Sequence, residues 1–202
     1  LEKRVRSITR LYYARKEIQD AIFKFAQDRE ISPRYFEGFG KRPDMLQFPA
    51  EVFELAKKGA TSFHCSEELW NDPLEIQTGM NEKQLNDLRK GWDLLIDIDS
   101  SYIDYSKASA ITIIEMLRFH GIKNYSIKFS GSKGFHILVP SKAFPEEING
   151  VQTKDMFPEW PRIISKYIIE KTKKEVAKKI GDAFGDKDKY KTAYKYIKGE
   201  KR

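Results

Sequence analysis

The feature that most constrains the fold is an apolar run ending in two alternating aspartates, Trp92-Asp93-Leu94-Leu95-Ile96-Asp97-Ile98-Asp99. This pattern favours a β-strand that is buried over most of its length. Side chains two residues apart in a strand lie on the same face, so we expect the Asp97 and Asp99 carboxylates to emerge together. That face cannot be apolar core, because desolvating two ionised carboxylates is costly unless a cation or a base neutralises them.

Two carboxylates at the end of a strand are suited to metal chemistry. Their oxygens can hold Mg²⁺ or Mn²⁺ together with substrate phosphates. A second metal ion would let the same pair support in-line phosphoryl or nucleotidyl transfer. The alternative is a strand that simply ends in solvent, with the aspartates capping the following turn.

Downstream of this strand the pattern predicts one helix and two further strands. Residues 107–120 carry apolar side chains at helical spacing, and Gly121 follows where a helix cap is expected. Residues 125–129 and 134–139 have the pattern of strands, and Pro140 ends the second. The order strand, helix, strand, tight turn, strand predicts the β-α-β-β core of split βαβ sheets.

The tight turn between these two strands carries a second polar group, Ser130-Gly131-Ser132-Lys133-Gly134, and His136 lies in the strand that follows. The glycines permit close backbone approach to a ligand, while Ser130 and Lys133 offer a hydroxyl and a cation suited to a triphosphate. The turn is not a P-loop, since no Ser or Thr follows the lysine to open a helix. An ordinary hairpin turn and a hydrogen-bonded core histidine are the alternatives.

Together, the acidic strand and the SGxKGxH turn resemble the two motifs of the archaeo-eukaryotic primase superfamily. The DxD motif is matched by Asp97-Ile98-Asp99, and the Ser/Gly, Lys, Gly and His motif by residues 130–136. The resemblance is at motif level over residues 90–140. It implies an RRM-like catalytic module beside an N-terminal αβ module, and template-directed nucleotidyl transfer that synthesises DNA primers.

Carried over position by position, the resemblance implies that Asp97 and Asp99 ligate Mg²⁺ or Mn²⁺ in a two-metal site, with His136 as a further catalytic residue. The implied nucleotide-binding residues are Ser130, Gly131, Ser132, Lys133, Gly134 and His136. A 3′-hydroxyl would attack the α-phosphate of an NTP or dNTP, and pyrophosphate would leave. The implied partners are NTPs or dNTPs, a single-stranded DNA template, and a primase large subunit or a replication helicase.

Two features of that family have no counterpart in this sequence. A third acidic residue is expected on a strand after the histidine motif, but residues 156–202 have the pattern of a helix and a basic tail. The aspartates that follow the histidine motif, all in poor contexts for this role, are Asp155, Asp182, Asp186 and Asp188. We therefore expect the chain to stop before that motif. The cysteine-rich zinc element of many primase small subunits is also excluded, because Cys65 is the sole cysteine.

The remaining patterns complete the prediction of an α/β (α+β) fold in three segments. Residues 1–90 form an N-terminal αβ module, 91–155 the RRM-like module with its βαββ core, and 156–202 a lysine-rich C-terminal helical segment. The elements predicted in the first segment are one amphipathic helix at 1–28, a strand pair at 34–39 and 45–48, a helix at 50–58 and a strand at 61–66.

Charge and hydropathy narrow the class of function. The 202 residues carry a net charge of +7, which favours polyanionic partners such as nucleic acid. No apolar run approaches the ~20 residues that cross a bilayer, and the first residues do not resemble a signal peptide. We expect a protein without membrane contact, cytoplasmic and nucleoid-associated or otherwise intracellular.

Three other functions stay open at this point. A repair-type polymerase of the same superfamily would share both motifs. A two-metal phosphoesterase or nuclease would need further His or Asp ligands, and the chain has three widely separated histidines. A non-catalytic RRM-like nucleic-acid-binding module predicts exposed aromatic rings on the sheet and gives no reason for paired aspartates at a strand end.

Overall fold

The computed structural model describes residues 1–184, and the lysine-rich stretch 187–202, with Asp186, lies outside the described residues. Over the described part, the fold is mixed α+β, with six helices and nine strands in small antiparallel sheets. The chain divides into two compact units, residues 1–92 and the residues from Asp93 onward. None of the described helices is long and apolar enough to span a membrane.

The first unit consists of four helices and two strand pairs. The helices are α1 Glu2–Tyr13, α2 Lys16–Ala26, α3 Glu51–Lys57 and α4 Glu82–Leu88, and the strands are β1 Ile31–Arg34, β2 Ser62–Cys65, β3 Glu68–Trp70 and β4 Arg89–Trp92. Strand β1 pairs antiparallel with β2, and β3 with β4. The buried core of this unit contains Tyr13, Ala26, Ile31, Leu46, Val52 and Ala56.

The single helix predicted at residues 1–28 is wrong, because the chain breaks between α1 and α2. Arg15 is extended there, with φ −73° and ψ 125°. The Gln19 side chain donates from Nε2 to the carbonyls of Tyr13 and Ala14, at 2.9 and 3.2 Å. These carbonyls lose their helical partners at the break. Because of the break, side chains of both helices pack into one core. Local sequence periodicity does not predict this packing.

The strand predicted at residues 45–48 is also wrong, because this segment leads directly into α3. The Glu51 carboxylate accepts hydrogen bonds from the backbone N–H groups of Gln47 and Phe48, at 2.5 and 3.0 Å. The strand predicted at 34–39 is misplaced, because β1 is Ile31–Arg34, and β1 pairs with β2, from Ile31↔Cys65 to Arg34↔Ser62. The predicted helix at 50–58 and strand at 61–66 are confirmed as α3 and β2.

The second unit contains a three-stranded sheet, two long helices and a small hairpin. Its elements are β5 Leu94–Ile98, α5 Ile103–Phe119, β6 Ser126–Phe129, β7 Phe135–Val139, β8 Glu147–Ile148, β9 Val151–Gln152 and α6 Glu159–Phe184. The sheet has the order β5-β7-β6, so β7 is central. The predicted order strand, helix, strand, turn, strand is confirmed, and Gly121, with φ +79°, follows α5.

Cross-strand register sorts the residues of this sheet into two faces. Leu94, Ile96, Ile98, Ile137 and Val139 share one face and are all buried, and α5 packs against β5 and β7. The residues on the other face, which we call the open face, are Leu95, Asp97, Ser126, Lys128, His136 and Leu138. These six side chains are partly or fully exposed. The sheet therefore has an apolar side and a side that carries charge.

Candidate nucleotide-binding site

Strand β5 carries both aspartates of the first motif. Asp97 lies within the strand, and Asp99 directly follows its last residue, Ile98. Burial of Ile96 and Ile98 fixes the register, so Asp97 belongs to the open face, where its side chain is 66% exposed. Asp99 is exposed as well. A buried strand thus ends by placing two carboxylates in water.

His136 lies opposite Asp97, in the central strand β7. Its Nε2 is 3.4 Å from Oδ1 of Asp97, and its side chain is 29% exposed. Opposite residues of an antiparallel pair share a face, so this contact follows from the register. An imidazole N–H can donate to a carboxylate or to a bound anion, so His136 offers a hydrogen-bond donor on the open face.

The turn between β6 and β7 is closed by two hydrogen bonds between Ser130 and Gly134. The Ser130 N–H donates to the Gly134 carbonyl at 2.9 Å, and the Gly134 N–H donates to Ser130 Oγ at 3.1 Å. Because the hydroxyl oxygen acts as an acceptor inside the turn, its own proton is available to an outside acceptor. Gly131 has φ +97°, a conformation that favours glycine.

Gly134 brings this turn against the end of β5. A Cβ atom at this position would lie 2.5 Å from the Ile98 carbonyl oxygen, 3.0 Å from Ser130 Oγ and 3.5 Å from Asp99 Oδ1. The first of these distances excludes a side chain without movement of the backbone. The structure therefore brings together Asp97, Asp99, Ser130, Gly134 and His136, which the helix α5 separates in sequence.

The outer part of the turn is formed by Gly131, Ser132 and Lys133, all exposed. Lys133 makes no ion pair within residues 1–184. Its charge is therefore available to an incoming anion rather than neutralised by a carboxylate of the described part of the chain.

Lys128 belongs to the same site and was not singled out from the sequence. It is the cross-strand neighbour of His136 on β6, so Asp97, His136 and Lys128 form one row across the open face. The predicted strands were sufficient to place Lys128 next to His136. A tight turn between the strands predicted at 125–129 and 134–139 pairs residue 128 with residue 136.

A cleft of about 280 Å³ opens beside Asp97 and Asp99. Its apolar lining comes from β5, α5 and α6, and its polar lining residues from the two helices are Tyr105, Ser109, Ser165, Thr172 and Lys173. Lys173 is mostly buried and forms an ion pair with Glu170. The contribution of α6 was not predicted, although Ser165 and Thr172 interrupt its apolar stripe at helical spacing.

The donor set fits a divalent cation that also binds substrate phosphates. Asp97 and Asp99 supply carboxylate oxygens, which Mg²⁺ and Mn²⁺ prefer, and neither pairs with a lysine or arginine within residues 1–184. Among these residues, no cluster of three or more His, Cys, Asp or Glu side chains is arranged to hold a metal. A cation at this site would depend on phosphate oxygens and water for its other ligands.

Comparison with known proteins adds one partial similarity. No protein-family model matches the chain. A stretch of 58 residues is 45% identical to part of an uncharacterized protein of Methanocaldococcus jannaschii. The stretch covers 28% of this chain and 13% of the archaeal protein, so the chain matches only a small part of that relative's length.

Proposed function

We propose that this chain carries the catalytic module of a DNA primase-polymerase of the archaeo-eukaryotic type. The observation that carries the proposal is that the two motifs are close together in space. Asp97 lies beside His136, and Asp99 lies beside Gly134 in the turn between β6 and β7. Carboxylates that hold a metal, next to donors that hold phosphates, are what nucleotidyl transfer requires.

The arrangement of the second unit supports an RRM-like module. Elements β5, α5, β6 and β7 follow in the order β-α-β-β, and the helix packs on one face of the antiparallel sheet. On the open face of these three strands none of the side chains is Phe, Tyr or Trp. A non-catalytic RRM stacks bases on aromatic rings of its sheet, so this face favours the catalytic alternative.

In the proposed reaction each group has a separate task. Asp97 and Asp99 would hold Mg²⁺ or Mn²⁺, which would neutralise phosphate charge and lower the pKa of the attacking hydroxyl. Ser130 donates its hydroxyl proton to a phosphate oxygen, while Lys128 and Lys133 supply positive charge and His136 supplies an N–H donor. The cleft beside the carboxylates lies near the lower end of the volumes of ligand pockets, which suits the nucleoside part of the substrate.

The proposal is tested by Mn²⁺-dependent binding of ATP and dATP, measured by calorimetry. We expect the native chain to bind, and Asp97→Asn and His136→Ala each to weaken binding about 10-fold or more, the effect of losing a charge-assisted contact. Asp87→Asn and His120→Ala are matched controls, because they change the same groups at exposed positions outside the site. Both controls should bind like the native chain.

Two outcomes would contradict this function. One is the absence of nucleotide binding by a native chain that circular dichroism shows to be folded. The other is tighter binding of single-stranded DNA after substitution of both aspartates by asparagine, without any nucleotide binding, which favours the non-catalytic module. Where binding is found, extension assays on templates with and without a preformed 3′-hydroxyl separate a primase from a repair-type polymerase.

A further inference from the structure

A hairpin in the first unit exposes two phenylalanine rings to solvent. Phe36 is 41% and Phe39 is 57% exposed, and each ring lies beside a guanidinium group. Cζ of Arg6 is 5.4 Å from the centre of the Phe36 ring, and Cζ of Arg34 is 4.9 Å from that of Phe39. His64 packs edge-on against Phe39, with ring centres 5.0 Å apart. We call these five residues the aromatic hairpin surface.

The backbone beneath these rings is well fixed. The Tyr35 N–H donates to the Gly38 carbonyl, and the Gly40 N–H to the Pro33 carbonyl, both at 2.8 Å. The Arg34 carbonyl accepts from both the N–H and the hydroxyl of Thr61, at 2.8 and 3.0 Å. The rings are therefore displayed on a rigid support, and a ligand that stacks on them needs to order little of the protein.

The two guanidinium groups of this surface differ in their charge partners. Arg6 is neutralised by Glu2 and Glu37. Arg34 has no carboxylate partner in the part of the chain that the structure describes. One guanidinium is thus available for a phosphate while it lies over an aromatic ring.

We propose that the aromatic hairpin surface binds single-stranded nucleic acid, with bases stacked on Phe36 and Phe39 and a backbone phosphate bound by Arg34. Exposed rings combined with a cation are the usual means of holding single strands, because every base has a face that stacks. A duplex hides those faces and does not fit. The inference uses residues outside the proposed nucleotide site and needs neither metal nor nucleotide.

The test is fluorescence anisotropy with labelled oligothymidylate and oligouridylate, using the full chain without metal. We expect Phe36→Ala and Phe39→Ala each to weaken binding of one or both single strands about 10-fold or more. Phe39→Leu should weaken binding similarly, because it keeps an apolar side chain but loses the aromatic face, whereas Phe39→Trp should preserve binding. Arg34→Met should weaken binding and reduce its dependence on salt.

The matched control is Phe48→Ala, since Phe48 is 64% exposed in the same unit. Native-like binding by Phe39→Ala and Phe39→Leu, or an equal loss with Phe48→Ala, would overturn the inference. Duplex DNA bound as tightly as a single strand would also overturn it. Asp97→Asn should leave oligonucleotide binding in place, so failure of this surface and failure of the nucleotide site give different results.

Discussion

Among single residues, Gly134 has the most direct effect on the shape of the nucleotide site. A side chain there would meet the carbonyl oxygen of Ile98, a backbone atom that cannot rotate away. Ser130 Oγ lies close to the same position, so the turn must open before a methyl group fits. Gly131 is different, because its φ of +97°, rather than packing, favours glycine.

We expect Gly134→Ala to lower the free energy of unfolding by about 1–3 kcal/mol, the usual cost of overpacking. Nucleotide binding should weaken in the same variant, because Ser130 and Asp99 are displaced. Urea denaturation and calorimetry measure the two effects. Ser132→Ala, exposed in the same turn, should stay within about 0.5 kcal/mol of the native chain. An unchanged free energy of unfolding in Gly134→Ala would contradict this expectation, because it would mean that the turn opens without measurable cost.

At the scale of elements, the β3–β4 pair is held by one buried guanidinium. Nε and Nη2 of Arg89 lie 3.0 and 2.8 Å from Oε1 of Glu68, and Nη1 contacts Asn86. Cζ of Arg89 is also 5.4 Å from the centre of the Trp70 ring. Burial raises the pKa of the Glu68 carboxyl, and Arg89 opposes this shift without cancelling it.

The raised pKa of Glu68 predicts a pH-dependent stability of this strand pair. The folded chain binds a proton at Glu68 more readily than the unfolded chain does. Protonation of Glu68 therefore stabilises the folded chain. This stabilisation is fully present below the ordinary pKa of glutamate and is lost as the pH rises through the raised pKa. Urea titrations should therefore show the native chain losing stability relative to Glu68→Gln across that window. A difference that grows in favour of the native chain with rising pH would contradict the direction of the shift.

The elements that carry the nucleotide site were predictable because each has a strong local signal. Two aspartates mark the end of β5, Gly121 follows α5, and Pro140 follows β7. The break between α1 and α2 has no such signal, since neither Gly nor Pro occurs there. It depends on the burial of Tyr13, which is a tertiary effect, and on hydrogen bonds from the Gln19 side chain across the break, which residue spacing does not reveal.

The site itself was predictable only as far as its motifs extend. Asp97, Asp99 and residues 130–136 were found by residue type and spacing, whereas Lys128 enters through the register of β6 with β7. Lys173 belongs to the cleft because α6 packs beside β5, and no local sequence pattern predicts that packing. The β8–β9 hairpin was not predicted either. Its Asn149-Gly150 turn, with φ values of 53° and 83°, is a strong signal, but two-residue strands leave no alternation to detect.

At the scale of the whole molecule, the two proposed binding surfaces belong to different units. The aromatic hairpin surface lies in residues 1–92, and the nucleotide site lies in the unit that begins at Asp93. Each unit has its own buried core, so a substitution at one surface should leave binding at the other surface intact. Binding at the two surfaces can therefore be measured separately in one preparation of this chain.

The net charge of +7 predicts that single-strand binding weakens with salt. Neutralised phosphates release counterions, so the one phosphate bound by Arg34 predicts that affinity falls about 3-fold between about 50 and about 200 mM salt. Anisotropy titrations at several salt concentrations measure the slope. An affinity independent of salt would mean that stacking alone holds the strand and that Arg34 contacts no phosphate.

The edge strand β6 has a consequence for how the protein behaves in concentrated solution. Within the described residues it pairs only with β7, and Ile127 and Phe129 are each about half exposed. An apolar edge of this kind can recruit the same strand of a second copy and begin aggregation. Lys128 lies between these two residues in sequence, on the opposite face of β6, and it puts a charge on that edge, a device that natural proteins use to deter such pairing. The lysine of the open face thereby also protects the colloidal stability of the protein.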